Sequence, residues 1–178
     1  FDAIITGVRA YNSRPDLRAN QSRLLDYVNK GGTLIVQYNI YEASFFGGAR
    51  GDLARVGPYA IKIGRERVTV EEAPVTFPAV DHPLLQYPNQ IKPADFDGWV
   101  QERGLYFASE WDAQYQPLFA TNDPGEAVQK GGTLVTRYGK GTYIYTAFSW
   151  FRQLPAGVPG AYRVFANFLS ASSASGNR

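Results

Sequence analysis

The chain has 178 residues, an apolar fraction of 44%, a charged fraction of 19% and a formal net charge of +2. That length suits one domain with a sizeable core, and the composition is that of a globular chain rather than a disordered one. Near-neutral charge without blocks of like charge argues against nucleic acid or an anionic membrane as partner, and no apolar run approaches the roughly 20 residues of a membrane helix.

The absence of cysteine removes disulfides, thiolate nucleophiles and Cys-based zinc sites together, and leaves the redox compartment open. Ala3 to Thr6 is a short apolar run ending at Gly7, which reads as a buried strand and a turn. The start at Phe1 falls inside this strand pattern, with no initiator Met and no signal peptide, as expected of a piece of a longer polypeptide. After a polar stretch, a helix is predicted from Asp16, with Leu17, Leu24, Leu25 and Val28 on one face and Gly31 as a left-handed cap. Residues 33–38 form a second, almost wholly apolar strand, as when helices cover both faces. Strand, helix, Gly-Gly and strand make a βαβ unit, the building block of parallel sheets.

Residues 41–57 are rich in Gly and small polar residues and read as an irregular loop or short helix. Val68, Val70, Val75 and Phe77 alternate, which predicts β structure outside the parallel core. Asp81-His82-Pro83 opens a turn or short helix, and residues 91–99 are a short helical excursion. Residues 104–108 and 117–121 are strand candidates, followed by the turn signal Asn122-Asp123-Pro124-Gly125. Residues 133–138 and 142–148 flank Gly139-Lys140-Gly141, a tight hairpin signal. A final amphipathic helix carries Tyr162, Val164, Phe165, Phe168 and Leu169, and residues 170–178 read as a frayed polar tail or linker remnant. Lys30-Gly-Gly-Thr-Leu34 recurs as Lys130-Gly-Gly-Thr-Leu134, but the flanks differ, so it is the same turn chemistry used twice rather than a duplication.

Four stretches carry a family resemblance: Val8-Arg9-Ala10-Tyr11-Asn12, Lys30-Gly-Gly-Thr-Leu-Ile-Val-Gln-Tyr-Asn39, Asp95-Phe-Asp-Gly-Trp-Val-Gln-Glu-Arg103, and Ser149-Trp-Phe-Arg-Gln-Leu-Pro-Ala-Gly-Val-Pro159. Together they resemble the C-terminal region of large bacterial PIG-L family (LmbE-like) deacetylases. There a zinc-dependent N-acetylglucosamine-type deacetylase domain is followed by a class I glutamine amidotransferase-like domain. The resemblance covers nearly the whole chain. It implies an α/β fold with a flavodoxin-like, class I glutamine amidotransferase-like parallel sheet flanked by helices and an added antiparallel β-hairpin. It also implies one domain over residues 1–169 with a polar tail over 170–178, the attached deacetylase domain as partner, zinc held in that absent domain with no cofactor here, and an exported or periplasmic location in a bacterium.

Working amidotransferases of that fold carry a Cys on the tight turn after a central strand, with His and Glu after the last strands. Here the corresponding places hold Gln37-Tyr38-Asn39 and Ser149-Trp150-Phe151-Arg152. Neither supplies a thiolate or its base, so the resemblance implies a pseudoenzyme domain. Sugar-handling branches of the fold, the ThuA-like proteins and β-galactosidase trimerisation domains, lack the cysteine as well.

His82 is the only histidine, which rules out a multi-His zinc site within this chain, and it reads as a turn residue rather than a catalytic base. Asp95 and Asp97 are too few carboxylates for a cation site and suit helix capping. Ser149 lacks the Gly-x-Ser-x-Gly elbow, and no dinucleotide or Walker loop is present. Ligands of open parallel sheets bind beyond the carboxyl ends of the strands. The expected constellation there is Arg9, Tyr11 and Asn12; Gln37, Tyr38 and Asn39; and Trp150, Arg152 and Gln153. Trp99, Glu102, Arg103 and Trp111 would cap it. Aromatic faces beside Arg, Asn and Gln suit sugar rings, and the competing reading of each residue is core packing or loop anchoring. Three functions follow as expectations: a module binding a carbohydrate-like ligand or shaping substrate access for the deacetylase; a structural or homo-oligomerisation domain; or a hydrolase using Tyr38 or the carboxylates Glu102, Glu110 and Asp112 on glycans.

Overall fold

The computed structural model describes residues 1–40 and 56–174. The expected loop over residues 41–57 lies almost wholly outside the described residues. The chain opens with β1 (Ala3–Thr6), three short helices α1 (Ala10–Ser13), α2 (Pro15–Ala19) and α3 (Gln21–Asn29), and β2 (Thr33–Gln37). The single helix expected from Asp16 is thus in two pieces. Asn20 leaves helical geometry (φ −106°, ψ 15°) and its side-chain Nδ2 donates to the Asp16 carbonyl at 2.8 Å, a local bond that competes with the helical one. Val28 on α3 is buried, and α3 lies against β2 and two later strands, β8 (Thr133–Tyr138) and β9 (Gly141–Thr146). Gly31 takes φ 118°, and a Cβ on Gly32 would sit 2.1 Å from the Tyr27 ring, so this Gly-Gly turn needs both its freedom and its lack of side chain.

Between β2 and β8 lie β3 (Ile61–Val68), β4 (Val75–Thr76), β5 (Gly104–Trp111), β6 (Gln116–Pro117) and β7 (Ala120–Thr121). The chain ends in α4 (Trp150–Gln153), α5 (Pro159–Leu169) and α6 (Ala171–Ala174). The supposed tail therefore starts as a helix, and Ala171 is buried.

The strand order of the main sheet is β1-β2-β9-β8-β6. β1 with β2 and β2 with β9 are parallel, whereas β9 with β8 and β8 with β6 are antiparallel. Two separate two-stranded sheets, β3-β5 and β4-β7, are both antiparallel. The expectation of a flavodoxin-like, amidotransferase-like parallel sheet is corrected by this topology. Among the described residues one strand–helix–strand crossover, β1 to β2, builds parallel pairing. The Gly139-Lys140 hairpin, with φ 58° at Gly139, then folds β8 back beside β9 inside the same sheet. Among the described residues, the middle of the chain has no long apolar helix of the kind further parallel crossovers require, and it builds small antiparallel ladders instead.

The core is aromatic. Phe96, Trp99, Phe107, Phe119, Phe148, Trp150 and Phe168 are all buried and linked ring to ring at centroid distances from 5.1 to 6.4 Å. No helix among the described residues is long and apolar enough to cross a membrane.

Candidate functional site

Because β1, β2 and β9 are parallel neighbours, the segments leaving Thr6, Gln37 and Thr146 meet at one end of the sheet. Side-chain amides hold them together where backbone pairing stops. Asn12 pairs with the Ile40 backbone in both directions at 2.9 Å. Asn39 is buried, accepts from the Tyr11 N–H at 2.9 Å and donates to the Gln37 carbonyl at 3.0 Å. Gln37 donates to the Thr6 carbonyl at 3.3 Å. Tyr11 is buried and its hydroxyl donates to Gln21; burial pushes its pKa up to about 12 against the opposing pull of that bond, so the phenol stays neutral near pH 7.

The segment after β9 is held in the same manner. Gln153 is fully buried and exchanges two bonds with the Val100 backbone, at 2.8 and 2.9 Å. The Ser149 hydroxyl donates to the Glu102 carbonyl at 2.7 Å, which gives it an anchoring role. Trp150 lies in the core with its indole N–H on the Thr146 hydroxyl at 2.7 Å, and Trp99 donates to the Asp95 carbonyl at 3.3 Å. Arg103 is buried, donating to the carbonyls of Ala73 (2.9 Å) and Phe96, with its guanidinium 5.4 Å from the Trp99 ring centroid. Burial lowers its pKa to about 10 despite the nearby Asp97, Glu72 and Glu71, and it remains charged near pH 7. The polar groups of these expected site residues are thus engaged inside the protein. Trp111 ends β5, about 20 Å along the strand from Gly104 on an ordinary strand rise, and lies away from the convergence point.

What faces outward there is a smaller group centred on Tyr38. Arg9 is exposed and places its guanidinium 5.9 Å from the Tyr38 ring centroid, while its backbone N–H donates to the Tyr38 carbonyl at 2.8 Å. Tyr106 stacks on Tyr38 at 5.6 Å and Phe151 meets it edge-on at 5.7 Å. Both rings are half-buried, so Tyr38 itself is a wedge and they present the open ring area. Arg152 covers Phe151 at 4.9 Å and its Nε donates to the Glu102 carboxylate at 2.8 Å. Guanidinium donors, one carboxylate and aromatic edges on one surface are the groups that pair sugar hydroxyls and pack on ring C–H faces.

Backbone strain gathers at the same place. Arg9 (φ 57°), Gln101 (φ 68°) and Tyr106 (φ 60°) are the non-glycine residues at positive φ among the described residues. Arg9 and Tyr106 touch Tyr38, and Gln101 precedes Glu102. Each costs about 1–3 kcal/mol, and such outliers cluster at functional sites. At Tyr106 the cause is visible: Glu66 pairs with Phe107 while Arg67 pairs with Leu105, so Tyr106 is the extra residue of a β-bulge.

Tyr106 and Phe151 were not among the residues expected from sequence. Phe151 was detectable, because burial of Trp150 and Gln153 at a helical i, i+3 spacing turns Phe151 and Arg152 outward. Tyr106 was not, since strand alternation gives no sign of a bulge. His82 is a cap: its Nδ1 accepts from the Leu84 N–H at 3.1 Å. Asp95 caps Lys92 and pairs with Arg163 at 2.7 Å. No group of three or more metal-ligating side chains occurs among the described residues. Glu110, paired with Lys62, sits near the far end of β5, so Glu102 and Glu110 are not spaced as a glycosidase carboxylate pair, which needs about 5–9.5 Å.

No family model matches the chain, and no curated protein matches it. Solved structures do. The fold is similar to part of a β-galactosidase from Rahnella sp. R3, at 16% identity and TM-score 0.53, over 98% of this chain and 22% of that one. Two cytoplasmic proteins of Salmonella typhimurium are similar at 15% and 19% identity, with TM-scores of 0.56 and 0.55, over 96% and 95% of this chain and 71% of each of theirs. These likenesses show a shared fold. The chain spans about a fifth of the β-galactosidase it matches.

Proposed function

We propose that this chain is a non-catalytic accessory domain of a PIG-L family N-deacetylase that binds a carbohydrate-like ligand and so shapes substrate access. The observation carrying the reading is the Tyr38-centred surface, where Arg9, Tyr106, Phe151, Arg152 and Glu102 adjoin at the carboxyl ends of the parallel strands. The chain has no thiol, its single histidine is a turn cap, and Ser149 is engaged in anchoring a neighbouring segment; each supports binding over turnover. The sequence resemblance supplies the parent enzyme, and the fold shared with a segment of β-galactosidases, which act on sugars, is in keeping with it.

Oligosaccharides should raise the melting temperature of the chain, and Phe151→Ala should abolish that rise while leaving far-UV circular dichroism intact. In a deacetylase carrying the domain, Arg152→Ala should raise KM for an oligosaccharide several-fold with kcat retained. The reading fails if no oligosaccharide shifts the melting temperature and KM is unmoved.

A further inference from the structure

Several arginines among the described residues are committed. Arg14 pairs with Asp16, Arg18 donates to the Tyr11 and Asn12 carbonyls, Arg103 to two carbonyls, and Arg163 to Asp95, Asn89 and Gln90. Arg9 is different. Among the described residues its guanidinium has a ring partner, Tyr38, and neither a carboxylate nor a carbonyl. It is nonetheless held in place: the backbone is in the left-handed region, which costs an arginine about 1–2 kcal/mol, and the bond from its N–H to Tyr38 fixes that conformation. Glycine or asparagine would satisfy this backbone at less cost, so the side chain is what the position requires.

Arg152, at the other end of the contact chain through Tyr38 and Phe151, donates Nε to Glu102. Its charge is balanced by that carboxylate, which leaves Arg9 as the cation of this surface with no carboxylate partner among the described residues. A neutral sugar needs hydroxyl partners and a ring face. Among the described residues no carboxylate or carbonyl engages this planar fork, and its place on the rim beside half-buried aromatic rings matches a carboxylate attached to a sugar ring.

Building on the carbohydrate reading, we infer that the ligand is an acidic sugar of the uronate class, its carboxylate taken by Arg9 and its ring seated on Tyr106 and Phe151. The test uses matched neutral and uronate trisaccharides of the glucose, galactose and mannose series, titrated calorimetrically at low and high salt. The uronate member of at least one pair should bind at least tenfold tighter, the gap narrowing with salt as expected of a rim charge. Arg9→Gln should bring uronate affinity down to that of the neutral partner, and Arg9→Lys should recover part of the gap. Circular dichroism of each variant checks that it is folded. Equal binding of both members, or a preference that survives Arg9→Gln, overturns the acidic-ligand inference and leaves the carbohydrate reading standing. Binding of neither member in any series overturns both.

Discussion

A single acceptor nitrogen decides how the short 3-10 turn Pro83–Leu85 responds to pH. The Nδ1 atom of His82 accepts from the Leu84 N–H, and the ring is half-buried. Burial lowers its pKa below the ordinary 6.5, and the cap acts the same way, because a proton on Nδ1 would displace the bond. In the unfolded chain this histidine takes up its proton first. Its contribution to stability is therefore present above pH 6.5 and is lost as pH falls through the ordinary value towards the lower, folded one. Asparagine can place Oδ1 where Nδ1 sits and does not titrate. His82→Asn should keep the melting temperature near pH 7.5 and reduce its fall between pH 7.5 and 5.5, measured by calorimetry. An unchanged fall would show that other groups govern that window. The histidine's role as a turn residue was legible from Asp81-His82-Pro83, because proline limits the local conformations. The engagement of Gln153 and Asn39 with distant backbone was not, since partners 53 and 28 positions away leave no local trace.

At the scale of elements, the joint between α3 and the hairpin rests on close backbone approach. A Cβ on Gly141 would lie 2.0 Å from the Val28 carbonyl oxygen and 2.3 Å from that of Gly32. Neither is the movable end of a side chain, and the same joint carries bonds from Lys140 N–H to Asn29 and from Thr142 N–H to Gly32, at 3.0 and 3.1 Å. Gly141→Ala must push α3 off β9, and a cost of about 1–3 kcal/mol is expected from overpacking. Gly7→Ala meets nothing within 4 Å and should change stability by less than about 0.5 kcal/mol. Urea denaturation of the pair tests the contrast, and equal stabilities would refute the packing argument. Gly139-Lys140-Gly141 announced this hairpin in sequence, and the βαβ unit of β1 and β2 was equally readable from its two apolar runs. What misled the fold reading was extrapolation: one parallel unit was extended into a flavodoxin-like parallel sheet with only an added hairpin antiparallel, although the middle of the chain alternates with a two-residue period. Sequence period identifies a strand but not the neighbour it pairs with.

Across the whole molecule, three sheets share one set of rings. Phe148 follows β9 of the main sheet, stacks on Phe107 of β5 at 5.6 Å, and meets Phe119, just before β7, at 5.3 Å. Phe96 and Trp99 join it at 5.9 and 5.8 Å, and Trp150 at 6.0 Å; Trp150 in turn touches Phe165 and Phe168 of α5. Each of these ladders has only two strands, and isolated two-stranded pairs are marginal in water. Their stability therefore comes from this shared cluster, and they should unfold with it. Two of the three tryptophans, Trp99 and Trp150, lie inside the cluster, so with Trp111 replaced by Phe, tryptophan fluorescence follows the rings, whereas far-UV circular dichroism follows the ladders and helices. The two signals should trace one coincident urea transition, as two-state unfolding requires. Phe148→Leu keeps an apolar side chain but removes the ring contacts. It should lower stability by about 2 kcal/mol and shift both transitions by the same amount. If fluorescence moved to lower urea while the dichroism curve stayed in place, the sheets would have cores of their own. The convergence of Arg9, Tyr38, Arg152 and Tyr106 would then depend on the local amide bonds of Asn12, Asn39 and Gln153 alone. With coincident shifts, the ring cluster also sets the spacing of the Tyr38 surface, because β5, which carries Tyr106, and α4, which carries Phe151 and Arg152, both hang from it.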